Sequence, residues 1–341
     1  MPKSQGSLRV YIVQRILLSI PMILILLTLV FYFLRAAPGD PVGAILGERA
    51  SRWADTIRRQ LGLYDPLYIQ YFDYLRRVFT GDMGTSIITQ RSVSEDIAQR
   101  LPATFELAIA SMLVAVVVGV LLGVVGATRR DRPADVATRL VATVLYNIPV
   151  FWLGIIMQLV FAVWLGWFDV GGRLDPRRFE VPPRVTGMYT VDSLLAGQIH
   201  TFVDALAHLV LPAATLGLVL SGFFGRMVRA NMLQSLQADF VEAAVARGIR
   251  PASVFYRHAL KNAMVPVATT MGLTFAILFS GAILTETVFS WEGVGRYIFK
   301  AISNRDYPAL QGAVVYYAII MVVISLLIDV FNAWIDPRIR Y

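Results

Sequence analysis

The sequence predicts an all-α integral membrane protein with six transmembrane helices, and three observations support this fold class. The 341-residue chain is 57% hydrophobic and 16% charged, whereas about 25% of the residues of a typical soluble domain are charged. It contains six long runs without Asp, Glu, Lys or Arg. The segments that connect these runs differ in charge from one predicted side of the membrane to the other.

Each uncharged run is long enough to cross a bilayer as a helix. A helix rises about 1.5 Å per residue, so roughly 20 residues span a hydrocarbon core of about 30 Å. A charge at the centre of a span costs about 2.5–3.5 kcal/mol, which explains why the runs contain none. Core helices of a large soluble protein are the alternative, but these are usually shorter and amphipathic. The six predicted spans are 16–34, 107–128, 140–168, 205–225, 262–285 and 307–328.

The first span also has features of a secretory signal peptide, since Arg9 and Arg15 precede it and Ala36 and Ala37 follow it. Its 19 residues are long for the apolar region of a signal peptide. Cleavage after Ala37 would leave Pro38 at the new N-terminus. We therefore expect an uncleaved anchor helix.

Lys and Arg are concentrated in the connections on one side of the predicted bundle, which indicates the cytoplasmic side. The segments 1–15, 129–139, 226–261 and 329–341 together carry 15 basic and 6 acidic residues, a balance of +9. The segments 35–106, 169–204 and 286–306 carry 16 basic and 17 acidic residues, a balance of −1. Both termini are therefore predicted to be cytoplasmic. The net charge of +8 reflects topology, and no nucleic-acid partner is expected.

Proline and glycine inside the spans predict kinks and close helix contacts. Pro149, Pro212 and Pro266 lie in the third, fourth and fifth spans, where a proline is tolerated if neighbouring groups satisfy the freed carbonyl. Gly119 and Gly123 have the spacing that allows two helix backbones to approach closely.

Three polar residues within the spans, Asn147, Gln158 and His208, are candidates for lining a solute path. Hydrogen bonding between helices, without any part in transport, explains them equally well.

The residues needed for several kinds of catalysis are missing. The chain has no cysteine, which excludes thiol chemistry and Cys-ligated metals. None of its three lysines follows a glycine, so there is no phosphate loop for ATP hydrolysis. The histidines lack the spacing of a catalytic zinc site, and no Gly-x-Ser-x-Gly motif occurs. We expect no catalytic residues, no cofactor and no metal.

The connection 226–261 is longer than a turn requires and has helical periodicity. Met232, Leu236, Phe240 and Ala243 follow at i, i+4, i+8 and i+11, which predicts one face of a single helix. Gly248 is placed where a helix ends with a positive φ. A second short helix, 252–262, is predicted to lead into the fifth span. The segment is therefore expected to form a helix, a sharp turn and a helix.

Glu242-Ala243-Ala244, followed by Arg247 and Gly248, resembles the EAA loop of ABC-importer permeases. In that family the short helix of this loop docks into a cleft of the cytoplasmic ATPase, so the resemblance implies that these five residues couple the two proteins. Alone the motif is weak, and an alanine-rich surface helix with a glycine cap is the alternative.

Further motifs, in the same order along the chain, resemble the first ("B type") permease of dipeptide, oligopeptide and nickel importers. They cover nearly the whole sequence: Ala-Ala-Pro-Gly-Asp-Pro (36–41), Gln-Leu-Gly-Leu (60–63), Gly-Asp-Met-Gly-Thr-Ser (81–86), Arg-Leu-Pro-Ala-Thr (100–104), Arg-His-Ala-Leu-Lys-Asn-Ala (257–263) before Pro266, Phe-Ser-Trp with Gly-Arg (289–296), Asn-Arg-Asp-Tyr-Pro (304–308), Gln-Gly (311–312) and Asp-Pro-Arg-Ile-Arg-Tyr (336–341). One departure is Glu292, where the family leads us to expect proline, and it leaves the shape of that turn open.

The resemblance implies a type I ABC-importer permease in the cytoplasmic (inner) membrane. In such importers a second homologous permease pairs with the first, two ABC ATPases bind beneath them, and an extracytoplasmic solute-binding protein delivers the solute. The segment 35–106 would then either form small helices that meet the binding protein or pack as a lid on the helix ends.

The expected function is ATP-driven uptake of dipeptides or oligopeptides by alternating access, with nickel or another small solute as the alternative. A secondary carrier is less favoured because no predicted span contains Asp or Glu. An intramembrane enzyme would need a nucleophile and a base that the spans lack. The solute itself cannot be read from the sequence, because peptide and nickel permeases share these motifs.

Overall fold

A computed structural model describes residues 8–36, 58–59 and 64–335. Over these residues the regular secondary structure is helical, apart from one antiparallel bridge between Thr85 and Ser92. The motifs at 37–41, 60–63 and 336–341 lie outside the described residues. The helices are α1 (Leu8–Ala36), α2 (Leu67–Phe79), α3 (Val93–Thr128), α4 (Pro133–Asn147), α5 (Val150–Met157), α6 (Tyr189–Leu195), α7 (Ile199–Leu236), α8 (Asp239–Ala246), α9 (Pro251–Ser253), α10 (Leu260–Gly281), α11 (Ile283–Val288), α12 (Val294–Ser303) and α13 (Tyr307–Ile335), with π-helical segments π1 (Gln158–Trp164) and π2 (Val254–Ala259).

Within the described residues, four helical stretches are long and apolar enough to cross a membrane. They are Ile16–Phe33 in α1, Val93–Thr128, Ile199–Leu236 and Tyr307–Ile328 in α13. The bent pair of Pro133–Asn147 and Val150–Trp164 adds a fifth if it forms one span. The predicted all-helical membrane fold is therefore confirmed. The number of six spans and the orientation of the termini stay predictions, and α10 lies where the fifth span is predicted.

Helices α3 and α7 extend well beyond the uncharged runs that predicted them. Helix α3 starts at Val93, although the second predicted span starts at residue 107, and α7 continues to Leu236, past the end of the fourth at residue 225. An uncharged run marks the part of a helix that lies in the hydrocarbon core of the membrane. It does not mark where the helix begins or ends. Charged residues near the ends of a long helix are tolerated when they find partners, as Asp96 does with the Arg100 guanidinium at 2.8 Å.

The third predicted span is two helices, because the chain turns by 101° between α4 and the stretch Val150–Trp164. Ile148 is extended, with ψ of 129°, and Pro149 follows it. A proline clashes with an α-helical conformation of the residue before it and donates no backbone hydrogen bond. The kink predicted at Pro149 is thus a full break of the helix.

Residues Pro102–Gly293 form one of two compact units, and α7 packs against α4, α5, α6 and α10 within it. Close contacts between α3 and α7 depend on glycine. A Cβ at Gly123 would lie 2.5 Å from the Val228 Cβ, and one at Gly119 would lie 2.6 Å from the Phe224 Cβ. Phe224 and Val228 are fully buried. The close approach predicted from Gly119 and Gly123 is confirmed, and these contacts anchor the helix that leads into α8.

Met1–Leu101 and Val294–Tyr341 form the second unit. In it α13 packs against α1 and α12. The Ser86 hydroxyl donates a 2.6 Å hydrogen bond to the buried Asp306 carboxylate. A Cβ at Gly312 of α13 would lie 2.5 Å from the Val93 Cγ1 and 3.0 Å from the Cβ of Met83 in the 81–86 motif. The Gly-Asp-Met-Gly-Thr-Ser, Asn-Arg-Asp-Tyr-Pro and Gln-Gly motifs therefore meet in one packing arrangement.

Candidate functional site

The candidate site is the EAA segment, residues 242–248, carried by α8. The preceding helix α7 ends at Leu236, and Ala238, with ψ of 148°, starts a new helix at Asp239. The prediction of one continuous helix is therefore wrong. The break changes the rotational phase, so Met232 is buried in the core while Phe240 and Ala243 are exposed.

Helix α8 is followed by a turn in which Gly248 adopts the left-handed conformation, as the sequence predicts. Gly248 has φ of +71°. Its N–H donates to the Val245 carbonyl at 2.9 Å, and the Ile249 N–H donates to the Ala244 carbonyl at 3.2 Å. This pair of bonds is a Schellman motif, which satisfies carbonyls left open at a helix end. The turn is thus defined by backbone hydrogen bonds as well as by the glycine.

The inner face of α8 is small and apolar. Val241 and Ala244, each less than a tenth exposed, cluster with Val254 of π2, and Ile249 packs against the same group. Ala244 is therefore part of the internal packing of this helical hairpin and is not available for docking. The sequence motif alone gave Ala243 and Ala244 the same role.

The outer face of α8 carries the other members of the motif. Glu242, Ala243 and Arg247 are exposed, and so is the neighbouring Val245, at 60%. Asp239 and Glu242 lie in the first turn of α8, where the helix dipole favours negative charge. The structure therefore brings together a short helix with a small apolar centre, flanked by an acidic and a basic residue.

The hairpin continues into α10 without an interruption of helical geometry. Helices α9, π2 and α10 form one continuous helical rod, residues 251–281. The junction residues have right-handed helical dihedrals: Ser253, Val254, Ala259 and Leu260. The predicted second helix at 252–262 is the first part of this rod. Val241 and Ala244 of α8 pack on Val254, so α8 contacts the first part of this rod.

The three predicted path residues have separate hydrogen-bond partners. Asn147 Nδ2 donates to the Thr143 carbonyl in its own helix at 2.7 Å. Gln158 Nε2 donates to the carbonyls of Val170 and Val288, at 2.6 and 3.0 Å. Gln158 therefore connects π1 with the end of α11, which favours the alternative of hydrogen bonding between segments.

His208 lies buried between two carboxylates. Its Nδ1 is 2.9 Å from the Asp204 carbonyl, and its Nε2 is 3.5 Å from Asp169 Oδ2. The ligand atoms of Asp169, Asp204 and His208 lie within 4.8 Å of one another, close enough for a metal ion to bridge them. The same contacts also fit an imidazole that hydrogen-bonds to its neighbours without a metal ion.

Buried polar anchors form a feature that the sequence reasoning missed. Arg173 Nη2 donates to Glu106 Oε2 at 2.7 Å, and the Thr190 hydroxyl donates to the same carboxylate at 2.7 Å. Glu106 and Arg173 are both less than a tenth exposed. Their sequence separation of 67 residues gives no local signal, so only the folded chain reveals the pair.

The Phe-Ser-Trp motif forms a second anchor. Trp291 is buried, and its indole N–H donates to the Ala103 carbonyl at 2.8 Å. The buried Glu286 carboxylate accepts a 2.7 Å bond from the Thr104 hydroxyl and leaves no room for a side chain at Gly293. Glu292, the departure from the expected proline, is exposed. Solvent exposure explains why this turn accepts a carboxylate there.

Asp135 at the start of α4 is held by α7. The Arg229 guanidinium donates to both of its oxygens, at 2.6 and 2.7 Å, and Asp135 is fully buried. The bidentate geometry fixes α4 to α7 seven residues before α7 ends. This junction lies in the last part of α7, before the break that precedes α8.

Known proteins resemble this chain along nearly its full length. The profile described as "Binding-protein-dependent transport system inner membrane component" matches residues 115–341, and the corresponding N-terminal profile matches residues 8–108. The dipeptide transport system permease protein DppB of Alkalihalophilus pseudofirmus is 40% identical over 332 residues, 97% of this chain and 99% of that protein. The di/tripeptide transport system permease protein DppB of Pseudomonas aeruginosa is 40% identical over 334 residues, 97% of this chain and 98% of that protein.

A solved structure has the same fold. The inward-facing MetNI methionine ABC transporter contains a chain that superposes with a TM-score of 0.52 at 16% identity, covering 69% of this chain and 93% of that one. At this identity the likeness concerns the fold alone. The profile match covers well over half of the sequence, and the described helices are apolar enough to span a membrane. This chain therefore belongs to the family of inner membrane components of binding-protein-dependent transport systems.

Proposed function

We propose that this chain is a permease subunit that moves dipeptides and oligopeptides into the cell by alternating access, driven by ATP hydrolysis in partner chains. The observation that carries the proposal is the match to two peptide permeases over 97% of the chain. Such coverage includes the membrane helices and the EAA segment alike. Nickel or another small solute is the alternative, because the matched sequence motifs do not specify the solute.

The proposed complex contains this chain, a second related permease, two ABC ATPases and a solute-binding protein. The sequence supports a division of labour, since no lysine follows a glycine and a phosphate loop is therefore absent. The ATPases would supply the energy and this chain a path for the solute. The charge balance of +9 against −1 supports cytoplasmic termini, which places the EAA segment on the side of the ATPases.

The outer face of α8 is the proposed contact with the ATPase. Ala243 at its centre is small enough for close approach, and Glu242 and Arg247 offer charges for pairing with the partner. Nucleotide-driven motion reaches the membrane only through a rigid element. The Schellman turn at Gly248 and the packing of Ala244 on Val254 provide that rigidity. The rod from Pro251 through α10 would carry the motion into the bilayer.

Neighbouring alanines provide a matched test of this contact. In the assembled complex, Cys at Ala243 should crosslink to a Cys in the ATPase cleft upon oxidation, because residue 243 is exposed. Cys at Ala244 should not crosslink, because residue 244 is 6% exposed and faces the hairpin. Equal crosslinking at both positions, or none at Ala243, would contradict the proposed contact.

Transport is tested with the purified complex in liposomes. Labelled dipeptide should accumulate only when ATP and the binding protein are both present, and excess unlabelled dipeptide should compete. Nickel should be taken up no faster than through empty liposomes. Uptake of nickel without uptake of peptide would favour the alternative solute and overturn the peptide assignment.

A further inference from the structure

Helix α2 lies against the C-terminal part of α1. The hydroxyl groups of Tyr71 and Thr28 are 2.6 Å apart, and Arg35 Nε donates to Gln70 Oε1 at 2.8 Å. Tyr74 stacks on Phe31 with ring centroids 5.5 Å apart. Thr28 precedes Arg35 by seven residues, which places it about 10 Å deeper along α1. Helix α2 therefore reaches the level of the membrane span Ile16–Phe33.

The remaining surface of α2 is divided into an aromatic and a charged face. Tyr68, Phe72 and Phe79, at i, i+4 and i+11, share one side of the helix and are 63%, 66% and 72% exposed. Asp73 and Arg77 are exposed on the other side. Gln70, Tyr71 and Tyr74 occupy the face toward α1. None of the residues of α2 is buried, so the aromatic face (Tyr68, Phe72 and Phe79) is left uncovered by the part of the chain that the structure describes.

The surroundings of the aromatic face point to lipid. Only 11% of the residues in the span Ile16–Phe33 are buried in this chain, which leaves α1 open to contact with lipid. The contacts of Gln70, Tyr71 and Tyr74 with α1 place α2 beside the C-terminal half of this span, and the aromatic face adjoins them around the helix. Tyrosine and phenylalanine beside charged residues are typical of a helix that lies in the membrane interface. Arg76 lies next to Phe72 around the helix and is exposed, and a long basic side chain at this position can extend toward lipid phosphates.

We propose that α2 is an interfacial helix whose aromatic face inserts into the lipid leaflet next to the C-terminal end of α1. Only the identification of this leaflet as the outer one rests on the proposed function and topology. The helix would fix the depth of α1 and the starting point of the connection that leads to α3. The lipid contact does not depend on which solute is transported.

Spin labels on single cysteines test the proposal, since the chain has no cysteine of its own. The complete complex, with cysteine-free partner chains, is placed in nanodiscs of phosphatidylethanolamine and phosphatidylglycerol. Labels at Phe72→Cys and Tyr68→Cys should collide more often with oxygen than with a water-soluble nickel chelate. The label at Asp73→Cys, one residue away on the charged face, should show the reverse.

Two outcomes would overturn the proposal. Equal access of the chelate to positions 72 and 73 would show that the aromatic face is in water. Exclusion of both reagents at 68 and 72, with a crosslink from 72 to the binding protein or the second permease, would show a protein contact. Both readouts are independent of uptake, so an inactive complex that retains the lipid contact would contradict the proposed function and leave this inference standing.

Discussion

At the scale of single residues, Gly248 is the position where the backbone itself limits substitution. Its φ is +71°, and a Cβ there would meet nothing within 4 Å. Valine should therefore be disfavoured by backbone strain of about 1–2 kcal/mol and not by a clash. We expect Gly248→Val to reduce ATP-driven uptake while its abundance in the membrane stays near normal. Uptake assays and membrane immunoblots measure the two effects.

Asparagine provides the matched control for Gly248, because it adopts the left-handed conformation more readily than valine does. Gly248→Asn should retain most of the uptake. Equal uptake by the valine and asparagine variants would show that the geometry of the turn does not matter for transport.

The stability of the loop at residues 185–187 is expected to depend on pH through the carboxyl group of Asp192. Burial raises the pKa of its carboxyl group, but hydrogen bonds from Thr186, Gly187 and Val185 outweigh burial and hold the pKa below its usual value. A depressed pKa gives stability that is fully present above the unfolded pKa of about 3.9 and is lost as the pH falls through the folded pKa. The amides of 185–187 should therefore be protected from hydrogen exchange near neutral pH and lose this protection in acid.

The variant Asp192→Asn separates this effect from global unfolding. In the variant, the side-chain NH2 group of the asparagine would replace one carboxylate oxygen and could not accept the hydrogen bonds from residues 185–187. This loss should destabilise the loop by about 1–3 kcal/mol at neutral pH. Exchange at 185–187, corrected for the intrinsic rate, should then change little with pH. A pH dependence in the asparagine variant as steep as in the parent chain would contradict the role of this carboxylate.

At the scale of elements, the contact between α4 and α7 depends on Gly222. A Cβ there would collide with the Ala142 carbonyl oxygen and lie 2.8 Å from the Tyr146 nitrogen, both of them backbone atoms that cannot move aside. At Gly225, less than one turn later, the nearest atom is the Leu122 Cβ at 3.2 Å. Gly222→Ala should destabilise the protein by about 1–3 kcal/mol, and Gly225→Ala by clearly less. Thermal unfolding in detergent compares them; equal melting temperatures would contradict this close contact.

The sequence predicts those features of the elements that local chemistry determines. The glycine turn after α8 and the disruption at Pro149 were both predictable, because each depends on the backbone preferences of one or two residues. The size of the 101° turn was not predictable, since an uncharged run looks the same whether it is straight or bent. The inward direction of Ala244 was also missed, because the break at 237–238 changes the phase of α8.

At the scale of the whole molecule, composition and charge predict a helical membrane protein, but long-range pairs could not be predicted. Glu106 with Arg173, and Asp135 with Arg229, join residues 67 and 94 positions apart. Nothing in either local sequence specifies the partner. The motifs of the resemblance pointed to the family, while the packing that gives Ser86, Asp306 and Gly312 their roles required the folded chain.

The orientation of the chain in the membrane rests on the charge balance of +9 against −1, and the structure identifies where to test it. Ser86 lies in the predicted extracytoplasmic segment 35–106, but it is a poor position for a labelled cysteine. It is 1% exposed, and its hydroxyl donates a hydrogen bond to Asp306. Glu180 and Gln237 are both exposed. The connection that contains Glu180 is predicted to be extracytoplasmic, and the one that contains Gln237 is predicted to be cytoplasmic. In the cysteine-free chain, Glu180→Cys should react with a membrane-impermeant maleimide in intact cells, and Gln237→Cys should react only after the membrane is opened. Labelling of Gln237→Cys alone in intact cells would invert the topology and place the EAA segment out of reach of any cytoplasmic ATPase.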